Sequence, residues 1–189
     1  ALVLLPGLLC DETVWRAQVR SFSGKAGVFV ADYGDADSIS LMAERALDAA
    51  PDRFALVGHS MGARVALEVM RMAPEKVERL ALLDTGVHRV QSGEHEKRQR
   101  LVDLAQDEGM EALCNAWLPP MVHPKFREDD VFMRPLREMV TRFTPDLFAR
   151  QIRALLTRPD TGPALDAIDC PVLVGVGRQD EWSPVRQHE

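Results

Sequence analysis

The chain has little that would tie it to a scaffold other than a packed core. Its three cysteines, Cys10, Cys114 and Cys170, are odd in number and unrelated in spacing. Neither a disulfide framework nor a zinc site follows from them, and a reducing compartment, the cytoplasm, is expected. No apolar run approaches the length of a membrane span. The opening Ala1-Leu2-Val3-Leu4-Leu5 has no charged segment before it and is cut short by Pro6-Gly7, which reads as a strand rather than a signal peptide. Positive charge is also in deficit. A formal net charge of −6 argues against a nucleic acid or an anionic membrane as partner. Internal repeats and low-complexity segments are absent. What is present is 189 residues, 46% of them hydrophobic, enough for one domain with a substantial core and an inserted lid.

Short apolar runs alternate with amphipathic helical stretches, the pattern of βαβ units and a parallel sheet. Strands are expected at 2–5, 28–31, 54–57, 80–83 and 172–176, with helices near 13–22, 38–49, 61–73 and after Trp182. Asp37 or Ser38 can cap the second helix, and Pro51 and Pro74 close the second and third. Residues 86 to 165 break the alternation. They are rich in charge, Met and Arg, and show helical spacing without a strand, with four helices expected at 94–108, 110–118, 130–141 and 144–157. Such a block cannot lie within the sheet. The expected architecture is therefore α/β, an open and mostly parallel sheet flanked by helices, built from residues 1–85 and 166–189, with 86–165 as a helical cap.

The most informative segment joins the third strand to the third helix. There Gly58-His59-Ser60-Met61-Gly62 supplies Gly-x-Ser-x-Gly between an apolar run and a helical pattern. Glycines two residues either side of the serine remove Cβ atoms that a sharp turn would crush. The turn exposes the hydroxyl and aims the first N–H groups of the helix at any oxyanion formed beside it. The competing reading is an ordinary turn whose serine caps the helix.

A serine hydroxyl needs a base, a group that orients the base, and two donors for the oxyanion. Asp180 follows the last expected strand and so shares the C-terminal edge of the sheet with Ser60, where ligands of open α/β sheets bind. It could equally cap the turn at Ser183-Pro184. Asp84, ending the fourth strand, is the rival carboxylate. By position, the donors are the amides of Met61 and of Leu8, the latter in the loop Pro6-Gly7-Leu8-Leu9.

With these motifs the sequence resembles the α/β-hydrolase fold family over essentially its whole length. The resemblance rests on Leu4 to Leu8 with Trp15, on Gly58 to Gly62, and on Pro171 to Asp180. It implies Ser60 as nucleophile, Asp180 as triad acid, and Leu8 and Met61 as oxyanion amides, with Gly58, His59 and Gly62 completing the elbow and no metal or cofactor. The likeness is closest to small bacterial carboxylesterases with a helical cap, such as the pimeloyl-ester carboxylesterase of biotin synthesis. Two departures stand out. Pro6-Gly7 replaces the usual His-Gly, and the catalytic histidine is not found. His188 is too near Asp180 and is expected on an exposed helix. His59 is expected to turn away from substrate, and His88, His95 and His123 belong to the cap's surface. The expectation is that the chain is truncated, with its final strand, histidine and helix beyond Glu189.

The function expected is a serine hydrolase cleaving a small carboxylic ester or thioester through an acyl-enzyme. The alternatives are lyase or C–C bond chemistry on the same fold, or a non-catalytic binding module. Cap residues such as Trp117, Met121, Phe132 and Met139 could line an acyl slot, though such a stripe is more often core. Arg134, Arg137, Arg142, Arg150 and Arg153 could hold a substrate carboxylate, but their commoner role is pairing with Glu128, Asp129, Asp130 and Glu138 on a solvated face.

Overall fold

The computed structural model describes all 189 residues, Ala1–Glu189. Five strands, β1 (Leu2–Leu5), β2 (Val28–Val30), β3 (Phe54–His59), β4 (Val77–Leu83) and β5 (Val172–Gly175), form one sheet in the order β2-β1-β3-β4-β5. Every pairing is parallel. The apolar runs of β1 and β3 are buried in the middle of the sheet, as parallel strands covered on both faces should be. The chain runs outward from β1 to β2, then returns past β1 to β3 and continues the other way. The C-terminal ends of β1 and β3 therefore flank the point where strand order reverses, the usual place for a ligand crevice.

Register decides what meets there. Leu5 pairs with Gly58, His59 with Leu83, and Leu83 with Gly175. The residues that follow each strand, Pro6-Gly7, Ser60, Asp84 and the 176–180 loop, consequently emerge on one rim.

Three helices serve the sheet: α1 (Arg16–Phe22), α2 (Ile39–Ala49) and α3 (Met61–Met72). Ser38 caps α2, its hydroxyl accepting from the Leu41 N–H at 3.2 Å. Helix α3 is buried along nearly its whole length, including Arg64 and Glu68. Beyond β4 the chain forms α4 (Glu94–Trp117), α5 (Asp130–Arg142), α6 (Pro145–Leu156) and a short α7 (Gly162–Asp166). Helix α4 kinks at Gly109 (φ 86°, ψ 175°), a conformation open in practice only to glycine, and the two expected helices at 94–108 and 110–118 are its two limbs. No strand occurs between β4 and β5. The cap helices are not a separate body: Leu113, Met133, Met139, Phe148 and Ile152 belong to the same apolar core as Leu5, Leu56 and Met70. No helix is long and apolar enough to cross a membrane.

Several expectations need correction. The helix placed after Trp182 is only a 3-10 turn, Val185–Gln187. The helix expected from residue 13 begins as a 3-10 turn, Glu12–Trp15, because Asp11 caps it there through the Thr13 N–H. Strand β4 starts at Val77, three residues early, and α7 had no expected counterpart. The apolar side chains of β5 are largely exposed, Leu173 by 63%, as this strand has a partner on one side only.

Candidate active site

Ser60 sits between β3 and α3 with φ 55° and ψ −116°. That conformation is strained for a residue with a Cβ, and its side chain does not cap the helix. The reading of Ser60 as an ordinary cap is therefore excluded. The strain is held from several sides. The Ser60 N–H continues the ladder to the Leu83 carbonyl at 2.8 Å, and its carbonyl accepts from Ala63 N–H at 3.0 Å. A Cβ on Gly58 would lie 2.4 Å from Ala63 Cα, and one on Gly62 would lie 2.1 Å from the Leu5 carbonyl oxygen. Both glycines exist because backbone passes where a side chain would be.

The loop after β1 packs on this turn. A Cβ on Gly7 would be 3.3 Å from that of Ser60. Two contacts fix the loop: the Tyr33 hydroxyl donates to the Pro6 carbonyl at 3.1 Å, and Gln151 Oε1 of α6 accepts from the Leu9 N–H at 2.9 Å; Leu9 itself has φ 55°. Neither the Leu8 nor the Met61 amide has a backbone acceptor.

Ser60, Leu8, Met61, His59, Asp84 and Asp180 all line one cavity of about 780 Å³ between the rim and the cap. Asp180 Oδ1 accepts from the Trp182 and Ser183 N–H groups at 2.8 and 2.9 Å, so this carboxylate both caps its own turn and faces the cavity. Asp84, at φ 50°, accepts from the Gly177 N–H at 2.9 Å and lies 3.9 Å from His59 Nε2.

Contrary to expectation, His59 does not turn away; it forms part of the cavity wall, edge-on to Trp15, with Nδ1 buried and unpartnered. Burial pulls its pKa below the ordinary 6.5, against the opposing pull of Asp84 and Asp180. His188 is not an exposed helix residue either. Its Nε2 accepts from the Thr85 N–H at 2.9 Å, at the end of β4. No histidine is hydrogen-bonded to the Ser60 hydroxyl. Cys10 also lines the cavity, but burial pushes its pKa to about 12, which keeps it a protonated thiol.

The arginines divide differently from the expected set. Arg142 pairs with Asp11, Arg150 with Asp146, Arg153 with Asp37 and Arg137 with Asp130. None of the five, Arg134 included, reaches the large cavity. The guanidiniums there are Arg64, Arg98, Arg127 and Arg158. Arg64 was legible in principle: it is a charge set among Ala63, Val65 and Ala66, four residues from Ser60 and so on its face. Of the cap's apolar residues, Trp117, Leu118 and Met139 belong to the core and also line the cavity with Met121, whereas Leu113, Met133 and Phe148 are core alone.

The model of the alpha/beta hydrolase family matches residues 2–189. The chain belongs to the alpha/beta hydrolase family. Solved members of similar shape include a thermophilic esterase from Thermogutta terrifontis with malate bound, at TM-score 0.85 and 23% identity over 99% of this chain and 74% of that one. The enol-lactonase from Burkholderia xenovorans LB400 gives TM-score 0.83 and 24% identity over 99% of this hydrolase-family chain and 76% of its own. MenH from S. aureus gives TM-score 0.76 and 22% identity over 92% and 73%. At these identities the likeness fixes the fold. Comparison with curated proteins finds no match.

Proposed function

We propose that this alpha/beta hydrolase cleaves a small carboxylic ester or thioester through a covalent acyl-serine. The observation that carries the reading is Ser60, held at φ 55° where the chain order reverses, on a cavity also lined by Leu8 and Met61, whose amides have no backbone acceptor. Ser60 Oγ attacks the substrate carbonyl carbon, and the oxyanion that develops accepts from these two amides. The tetrahedral intermediate collapses with departure of the alcohol or thiol, and water then releases the acid from the serine. Asp180 is the carboxylate assigned to orient the base. Asp84 remains its rival because it is the nearer to a ring nitrogen of His59. None of the five histidines is hydrogen-bonded to Ser60 Oγ in its observed position, and the reading names no base among them. Residues 1–85 and 166–189 form the catalytic core in this reading, and 86–165 the cap that excludes water.

With a chromophoric short-chain ester, the active protein should release a burst of leaving group equal to the enzyme present. Ser60→Ala should abolish both the burst and acylation of the protein seen by mass spectrometry. Undiminished turnover by that variant rejects the proposal. The missing hydrogen bond between any histidine and Ser60 favours one competing reading, a binding module; it predicts ligand uptake with no burst.

A further inference from the structure

Within the same cavity lies a cluster of charge that ester cleavage by itself does not require. Glu94 Oε1 and Oε2 accept from Arg158 Nη1 and Nη2 at 2.7 and 2.8 Å, and Oε1 also accepts from Arg98 Nε at 2.9 Å. The Arg158 side chain is only 2% exposed. Arg64 stands beside this group, 8% exposed, and makes one hydrogen bond, from Nη2 to the His88 carbonyl at 3.2 Å. Two guanidiniums thus share one carboxylate, and a third stands beside them with no carboxylate of its own. Arg64, with five N–H donors and one acceptor, is the one whose only partner is a neutral carbonyl. A buried cation left this way is costly unless an anion completes it.

The position of Arg64 gives the deficit a purpose. It lies four residues after Ser60 on α3, hence on the same helical face and roughly 6 Å along the axis. Side chains of a helix lean toward its N-terminus, which here is the Ser60 turn. Two more polar atoms at this end are buried without partners, His88 Nδ1 and Gln187 Oε1. Both residues line the cavity with Arg64.

We propose that Arg64, assisted by the surplus charge of Arg98 and Arg158, binds a carboxylate on the substrate, making the preferred substrate a short ester whose acyl part ends in a free carboxylate. This rests on the ester-cleaving reading of Ser60 but is separable from it, because binding of the anion requires no chemistry. The arginines also perturb one another. Burial and Arg158 lower the pKa of Arg64 to about 10, so it stays charged at neutral pH and responds to the neighbouring cations. Two fixed recognition points, an oxyanion pocket and a cation about one helical turn away, select acyl length as well as charge.

The test measures glutarate binding calorimetrically to the Ser60→Ala protein, with dimethyl glutarate as the neutral comparison. Glutarate should bind, with affinity that falls as salt rises, and the diester should bind at least tenfold more weakly. Arg64→Gln should weaken glutarate binding by about 10- to 100-fold, the range for a charged group losing a charge-assisted partner. Should that variant fail to fold, Arg64→Lys serves instead: it keeps the charge, loses the fork, and should bind with intermediate affinity. In active protein, monomethyl glutarate should be preferred over the diester in kcat/KM, and Arg64→Lys should shrink that ratio. Equal affinity for acid and diester, salt-independent binding, or unchanged glutarate affinity in the Arg64 variants overturns the proposal. Tighter binding of inorganic phosphate than of glutarate overturns the assignment to a carboxylate. If glutarate binds through Arg64 but no acyl-serine forms, the anion site stands and the hydrolytic reading falls.

Discussion

Ser60 occupies backbone geometry that its own side chain disfavours, and the neighbours that hold it there have no slack. Gly62 is the tightest of them. An added Cβ meets the Leu5 carbonyl oxygen at 2.1 Å and that of Pro6 at 2.6 Å, both backbone atoms that cannot rotate aside. Gly62→Ala should therefore destabilise the protein by about 3 kcal/mol or more, at the upper end of overpacking costs, because α3 must lift off β1. Gly27→Ala is the control, since nothing lies within 4 Å of its added Cβ. Urea denaturation separates the two, and equal midpoints would contradict this account of the turn.

Elements act on the site through one buried strut. Gln151 of α6 is 5% exposed and spends its carbonyl oxygen on the Leu9 N–H, in a loop whose Leu9 already bears a positive φ. The cap therefore holds in place the loop that presents the Leu8 amide. Gln151→Leu leaves a buried donor unsatisfied and should cost about 1–3 kcal/mol. It should also lower kcat more than it raises KM, because an amide that wanders is missed chiefly in the transition state. Gln151→Glu keeps an acceptor and should lose less of both. A rise in KM alone would show that α6 merely covers the cavity. The Asp11–Arg142 and Asp37–Arg153 pairs also join cap to core, but they are half-exposed and worth less.

For the whole molecule, stability should fall on the acid side. His59 and His88 have pKa values lowered from 6.5, chiefly by burial. The unfolded chain therefore takes up protons first as pH drops, and their contribution is complete above 6.5 and erodes below it. Glu94 is lowered from 4.5 against the cost of its burial, by hydrogen bonds from Arg158, Gln91 and Arg98. Its contribution is present above 4.5 and is lost as pH falls through its depressed folded value. Melting temperature should be level above pH 7.5, slope down from about 7 to 5, and fall again below 4.5. His88→Gln should flatten the first slope. A melting temperature that rises on acidification from pH 7 to 5.5 would refute the assignment.

The strands and the Ser60 turn were legible in sequence because they depend on neighbours along the chain: apolar runs, a glycine on each side of Ser60, and a helical period starting at once. The two limbs of α4 were legible for the same reason, though the φ of Gly109 that joins them was not. What lies across the sheet left no local trace. That His59 faces Asp84, that His188 takes the Thr85 amide, and that Arg98 and Arg158 converge on one carboxylate beside Arg64 follow from strand register and from how the cap closes. Sequence spacing fixes which face of its own helix or strand a side chain occupies; which other face it meets is settled only when separate elements bury their apolar surfaces together.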